Sequence, residues 1–195
     1  MAMLGSQGRY QAMWKTIIAV SFLSLSCVAL AGCDEGAKDS FVLCESTYAL
    51  CTTAACTPAD GSTETVDCAC DVKTGYSAGE KPCTGKVNTD KGTEIRSRYY
   101  PIKSYAVCDN DRPWAWCLDK QCVVDKDDPT KASCACTVDR NQGSYLVVTD
   151  TYTSTTCTTN LWSSATVAGV NQITDFLKTT KELKPYDIKV LNAPN

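Results

Sequence analysis

Twelve cysteines set in two copies of one spacing constrain this chain more than any other feature. Cys44, Cys51, Cys56, Cys68, Cys70 and Cys83 are separated by six, four, eleven, one and twelve residues, and Cys108, Cys117, Cys122, Cys134, Cys136 and Cys157 by eight, four, eleven, one and twenty. The central spacings of four, eleven and one are identical. At a constant offset of 66, Tyr48-Ala49-Leu50-Cys51 falls on Trp114-Ala115-Trp116-Cys117, and Cys68-Ala69-Cys70 on Cys134-Ala135-Cys136. This self-similarity reads as an internal duplication, with a period longer than those of common solenoids. It predicts two small tandem modules, over 44–107 and 108–195.

Each spacing has a local explanation. Between Cys56 and Cys68 lies Thr57-Pro58-Ala59-Asp60-Gly61-Ser62, and between Cys122 and Cys134 lies Asp125-Lys126-Asp127-Asp128-Pro129-Thr130. Both are turn sequences flanked by β-favouring residues, so each module is predicted to be built on a hairpin. Side chains two apart on a strand share a face, so Cys68 points with Cys70 and Cys134 with Cys136. These neighbours are therefore not expected to bond each other. Cys51 and Cys56, or Cys117 and Cys122, are the recipients the hairpin offers, although spacing alone does not fix connectivity.

An even set of cysteines in an exported chain reads as a disulfide framework, here of up to six bridges. Composition explains the need for it. Of the 163 residues from Cys33 onward only 27 are Leu, Ile, Val or Phe, a fraction too low for two ordinary hydrophobic cores. Bridges worth about 2–4 kcal/mol each offset such a deficit. The fold class expected is mainly β and disulfide-rich, with two tandem hairpin-based modules and one C-terminal amphipathic helix. The helix is read from Val167, Val170, Ile173, Phe176 and Leu177 within 164–183, capped by Ser163 or Ser164 and ended by Pro185. Strands are expected over Thr93–Tyr100, over Tyr145–Thr156, and in a short piece around Ile188–Leu191.

The N-terminal region points to export. Arg9 and Lys15 precede an apolar stretch from Ile17 to Leu30, and no acidic residue occurs before Asp34. As a helix this stretch would be about 21 Å long, too short for a hydrocarbon core of about 30 Å, so it reads as a signal-peptide core and not a lasting span. Leu30-Ala31-Gly32-Cys33, followed by Asp34, resembles the lipobox of bacterial lipoproteins. The resemblance implies that 1–32 is removed, that Cys33 carries a thioether-linked diacylglycerol and an N-acyl chain, and that 33–43 is a lipidated tether. Several acyl chains, at about 0.8 kcal/mol per buried methylene, anchor a protein stably. It also implies residence in the cell envelope, facing the periplasm or the surface, with Asp34 favouring inner-membrane retention. The duplicated cysteine pattern is similar to uncharacterised cysteine-rich secreted bacterial proteins, a resemblance that brings no activity with it.

Charge and composition narrow the function. From Cys33 onward there are 17 Lys plus Arg against 22 Asp plus Glu, with no basic cluster, which disfavours nucleic acid as a partner. The chain has no histidine, so Ser-His-Asp and Cys-His catalysis and His-ligated metals are excluded. No cofactor is implied and no pair among the acids forms a catalytic motif, so the chain is read as a non-enzyme. Asp125, Asp127 and Asp128, or Asp109 and Asp111, lack a complete calcium loop and read as turn charges. Tyr99, Tyr100, Trp114, Trp116 and Trp162 are candidate ligand contacts for a carbohydrate or peptide groove, although aromatics beside cysteines more commonly cover disulfides. Three functional classes stay open: a non-catalytic envelope lipoprotein anchored to the membrane and presenting a structural or interaction surface, a binding or inhibitor module for a glycan or protein, and a thiol redox or zinc-binding protein. Zinc would need Cys51, Cys56, Cys68 and Cys70, or their counterparts, as thiolates. Oxidation in the envelope opposes that.

Overall fold

The computed structural model describes residues 41–193 apart from 53, 101, 141, 142, 160 and 184–186. The signal peptide, Cys33, residues 34–40 of the tether and Pro185 lie outside the described residues. The chain is mainly β, with twelve strands and one helix among the described residues. Around the first cysteine set run β1 (Val42–Leu50), β2 (Ala55–Pro58), β3 (Thr65–Gly79), β4 (Val87–Thr89), β5 (Gly92–Arg96) and β6 (Ser104–Asp109). Then come β7 (Trp114–Trp116), β8 (Gln121–Val124), β9 (Lys131–Asp139), β10 (Ser144–Val148), β11 (Leu161–Thr166), α1 (Val167–Thr179) and β12 (Lys189–Val190). All twelve strands join one hydrogen-bonded sheet. Among the described residues no helix is long and apolar enough to cross a membrane.

All six disulfides close within their own cysteine set and in the same nested order. Cys44–Cys83, Cys51–Cys70 and Cys56–Cys68 are matched by Cys108–Cys157, Cys117–Cys136 and Cys122–Cys134. The hairpins explain the inner pairs. β2 runs antiparallel to β3 with Cys56 opposite Cys68, and β8 runs antiparallel to β9 with Cys122 opposite Cys134. Alternation then turns Cys68 and Cys70, or Cys134 and Cys136, to the inner face, while Asp67, Ala69, Ser133 and Ala135 are exposed.

Strand pairings recur at the same offset. Ala49 opposite Val72 recurs as Ala115 opposite Val138, and the parallel bridge of Ala49 to Ser97 recurs as Ala115 to Ser163. The strands, unlike the bridges, do not keep to their own set. β5 pairs with β8, placing Ile95 opposite Cys122, and β11 pairs with β2, placing Leu161 opposite Cys56. Each half thus lends a strand to the other's hairpin. β3 and β9 run side by side between them, with Cys68 directly opposite its own counterpart Cys134.

The inner bridges form the core. Cys51, Cys68, Cys117, Cys122, Cys134 and Cys136 have no solvent exposure, and they pack with Ala49, Ala115, Val66 and Ile95. The Sγ of Cys51 lies 3.4 Å from that of Cys134, so bridges of the two sets touch. A second cluster joins Ala78, Tyr99 and Ile102 to Leu118, Leu146, Val170, Ile173 and Leu177 beneath α1. In a third, Trp114 stacks on Tyr145 at 6.2 Å beside Cys108, which is the disulfide-covering role expected of such aromatics.

Local chemistry moved several expected boundaries. Ser163 and Ser164 lie buried in β11, and Thr166 caps α1 by accepting the Gly169 N–H at 3.0 Å. The buried helix face is Val170, Ile173, Thr174 and Leu177, while Val167 is 39 % exposed and lies off the stripe. β5 stops at Arg96, and beyond it Ser97 and Tyr99 pair only as isolated bridges, to Ala49 and Ala78. β10 stops at Val148 because threonines beyond it bond locally: Thr153 N–H donates to the Thr156 hydroxyl, and the Thr159 hydroxyl donates to the Thr155 carbonyl. β12 falls where the short C-terminal strand was expected.

A buried ion pair fastens the end of β3 to the turn after Cys117. The Arg98 side chain is 2 % exposed and that of Asp119 6 %, with Nη1 3.1 Å from Oδ1. Arg98 also donates to the Ser77 hydroxyl and to the carbonyls of Val42 and Lys81. Asp119 Oδ2 accepts the backbone N–H groups of Glu80 and Lys81. Asp119 holds φ at +56°, a left-handed conformation that Asp tolerates better than most residues. Gly79 is required beside it, because a Cβ there would sit 2.6 Å from Asp119 Oδ1. Asp119→Ala leaves Arg98 buried without its counter-charge, so it should lose about 3–5 kcal/mol in denaturant unfolding of the oxidised protein. A loss below about 1 kcal/mol, the range of exposed pairs, would contradict this account of the junction.

Candidate functional site

The hollow best suited to hold a ligand lies beneath the first turns of α1, with a volume of about 260 Å³. Its floor is β11 from Ser163 to Thr166, and Ala168, Gly169, Val170, Gln172 and Ile173 of the helix form one wall. Ile102, Leu118 and Val148 supply aliphatic surface opposite, and Phe41, Tyr99 and Trp116 supply rings. Cys51, Thr52 and Glu80 complete the lining. Two other hollows are larger but poorer candidates. One, of about 410 Å³, is walled mostly by threonines between Thr149 and Thr159, several of whose hydroxyls already bond within the loop. The other, of about 570 Å³, is an open depression on the outer face of β2, β3, β8 and β9.

The chemistry of the cavity beneath α1 follows from this lining. Among the described residues its lining is mostly apolar and includes no Lys or Arg, and the ionisable groups are Glu80 and Tyr99. Tyr99 is buried, its hydroxyl donates to the Ser164 carbonyl at 3.4 Å, and burial raises its pKa far above the ordinary tyrosine value. With the phenol held protonated, the wall offers hydroxyl groups and apolar carbon, and no positive charge.

The five aromatics singled out in the sequence do not converge on one groove. Tyr99 and Trp116 line the cavity, whereas Trp114 is 1 % exposed in the cluster with Cys108. Trp162 packs against that cluster from the threonine side, its buried Nε1 without a hydrogen-bond partner, and Tyr100 accepts the Tyr48 hydroxyl at its carbonyl. Asp125 serves a turn, accepting the N–H groups of Asp127 and Asp128, whereas Asp109 accepts the Ser144 hydroxyl across the β6–β10 pair and Asp111 accepts the Gly143 N–H beside it. Two sulfur triads lie in the core, Cys51 with Cys122 and Cys134, and Cys56 with Cys68 and Cys117. Each contains a whole disulfide and one sulfur of another, so neither offers the thiolates that zinc requires.

Sequence reasoning did not reach the cavity, because its wall draws residues from both cysteine sets and from three parts of the second. One signal points to it, namely the mismatch in size between positions 66 apart. Tyr99 answers to Ala165 and Leu118 to Thr52, and all four line the cavity, the second member of each pair being the smaller. No known protein family, curated protein or solved structure matches the chain.

The buried phenols make stability fall at alkaline pH. Burial pushes the Tyr48 pKa up to about 12 from an ordinary value near 10, and Tyr99 rises further. The unfolded chain therefore releases these protons first, so their contribution is complete below pH 10 and is lost as pH climbs toward the folded values. Burial raises the Tyr145 phenol as well. In a tyrosinate absorbance titration, the phenols of Tyr48, Tyr99 and Tyr145 should ionise late and together with loss of tertiary structure, and Tyr99→Phe should remove one of them. Ordinary ionisation of every tyrosine in the intact fold would contradict the burial of these three.

Proposed function

We propose that this chain is an exported lipoprotein of the bacterial envelope, non-catalytic, whose disulfide-braced body presents a rigid binding surface near the membrane to which acyl chains on Cys33 tether it. The observation that carries the proposal is the core of four packed disulfides, since such a core persists only where thiols stay oxidised. Six bridges point to an extracytoplasmic location, and the lipobox-like Leu30-Ala31-Gly32-Cys33 supplies a route to it. A binding role is favoured over chemistry by the missing histidine, by cysteines already joined, and by a cavity whose ionisable lining is one carboxylate and one phenol. The ligand expected at such a surface is an envelope protein, a glycan or a small apolar molecule.

Mass spectrometry of envelope-purified protein, with thiols alkylated before reduction, tests the proposal. None of the twelve cysteines from Cys44 to Cys157 should be alkylated, and the peptide that begins at Cys33 should carry the mass of a diacylglycerol and an acyl chain. The Cys33→Ser variant should leave the membrane fraction with its six bridges unchanged. An unacylated Cys33 together with reduced cysteines would overturn the reading.

A further inference from the structure

We infer that the cavity beneath α1 is a binding site for a neutral aliphatic molecule, held by its hydrocarbon chain. The cavity is an apolar recess of about 260 Å³ partly open to solvent, a concavity of the kind small ligands occupy, in a chain that has few aliphatic residues to place in such a wall. Water is a poor occupant, because it needs two to four polar partners and most of this wall is carbon. Recesses lined by apolar carbon take apolar ligands instead.

The wall combines large residues with small ones. Tyr99 and Leu118, and the residues 66 positions from them, Ala165 and Thr52, all line the cavity, and the two small side chains leave room that their larger counterparts do not. The helix, which among the described residues has no counterpart near the first cysteine set, roofs the cavity with Val170 and Ile173.

Charge selects the head group. A carboxylate entering the cavity would lose water without meeting a cation among the described wall residues. An alcohol finds partners in the hydroxyls of Ser163, Thr166 and Thr52, so an uncharged polar end on an aliphatic chain fits the lining. This inference stands on the cavity alone and does not depend on the acyl anchor.

Calorimetric titration of the oxidised full chain carrying Cys33→Ser, which removes any competing acyl group of its own, provides the test with 1-decanol and decanoate as probes. Decanol should bind saturably at one site, and decanoate at neutral pH should bind at least about tenfold more weakly. Ala165→Leu, which fills the floor, and Ala168→Phe, at an exposed helix position on the rim, should each weaken decanol binding by about tenfold or more. Near-ultraviolet circular dichroism verifies the fold of each variant, and Ala168→Phe decides the matter if Ala165→Leu fails to fold. Absence of saturable decanol binding, equal binding of decanoate, or binding unchanged by the rim substitution would overturn the site. A negative titration with an acylated Cys33 would sink this inference and leave the anchor standing.

Discussion

Four disulfides pressed against one another hold the place that leucine and isoleucine hold in most β proteins. A cystine is small, apolar and fixed in length, so it fills space between strands and joins them in the same step. Its cross-link restricts the unfolded chain, by about 2–4 kcal/mol for a bridge of ordinary span, on a model in which lost chain entropy dominates. The sulfur contact between Cys51 and Cys134 adds a link that is not covalent, since it presses a bridge of one set onto a bridge of the other. That contact exists because β3 and β9 pair with Cys68 opposite Cys134.

Strand exchange makes the two cysteine sets depend on each other. β5 completes the hairpin of β8 and β9, and β11 completes that of β2 and β3, so neither hairpin is fully paired without chain from the other half. The Arg98–Asp119 pair locks the same crossing from outside the sulfur core, between the end of β3 and the turn that follows Cys117. Burying two charges costs desolvation that their attraction repays only with further hydrogen bonds. The carbonyls of Val42 and Lys81 and the amides of Glu80 and Lys81 supply those bonds. The cavity sits beside this junction because α1 covers residues from both halves, including Tyr99 and Ile102 of one and Leu118 and Val148 of the other.

Much of the framework was legible in the sequence, and the reason is that strand geometry is local. Period-two alternation places Cys68 and Cys70 on one face, and the turn sequences at Asp60-Gly61 and Asp128-Pro129 set hairpins that bring Cys56 and Cys122 opposite their partners. The spacing of Val170, Ile173 and Leu177 marked the helix for the same reason. What was not legible depends on contacts distant in the chain. Nothing near Ile95, which reads as an ordinary strand, or near Leu161, where no strand was expected, tells that each pairs across the boundary between sets. The side-chain oxygens of Thr153, Thr156 and Thr159 decided against a long strand after Tyr145, a competition that β propensity leaves out. The cavity escaped because it arises from residues that are small, Ala165 and Thr52, and small residues announce themselves only against a larger counterpart.

The central claim is that buried disulfides are the interior of this protein and not an addition to it. Graded reduction of the oxidised chain, with alkylation mapping of each cysteine and near-ultraviolet circular dichroism followed together, tests it most directly. Cys83 is exposed and Cys157 half-buried, whereas the four inner bridges are buried throughout. The account predicts that Cys44–Cys83 opens first, then Cys108–Cys157, with the dichroism largely kept, and that tertiary signal disappears in step with the first inner bridge to open. Reduction of Cys51–Cys70, Cys56–Cys68 and their two counterparts in a chain that keeps its full tertiary signal would contradict it.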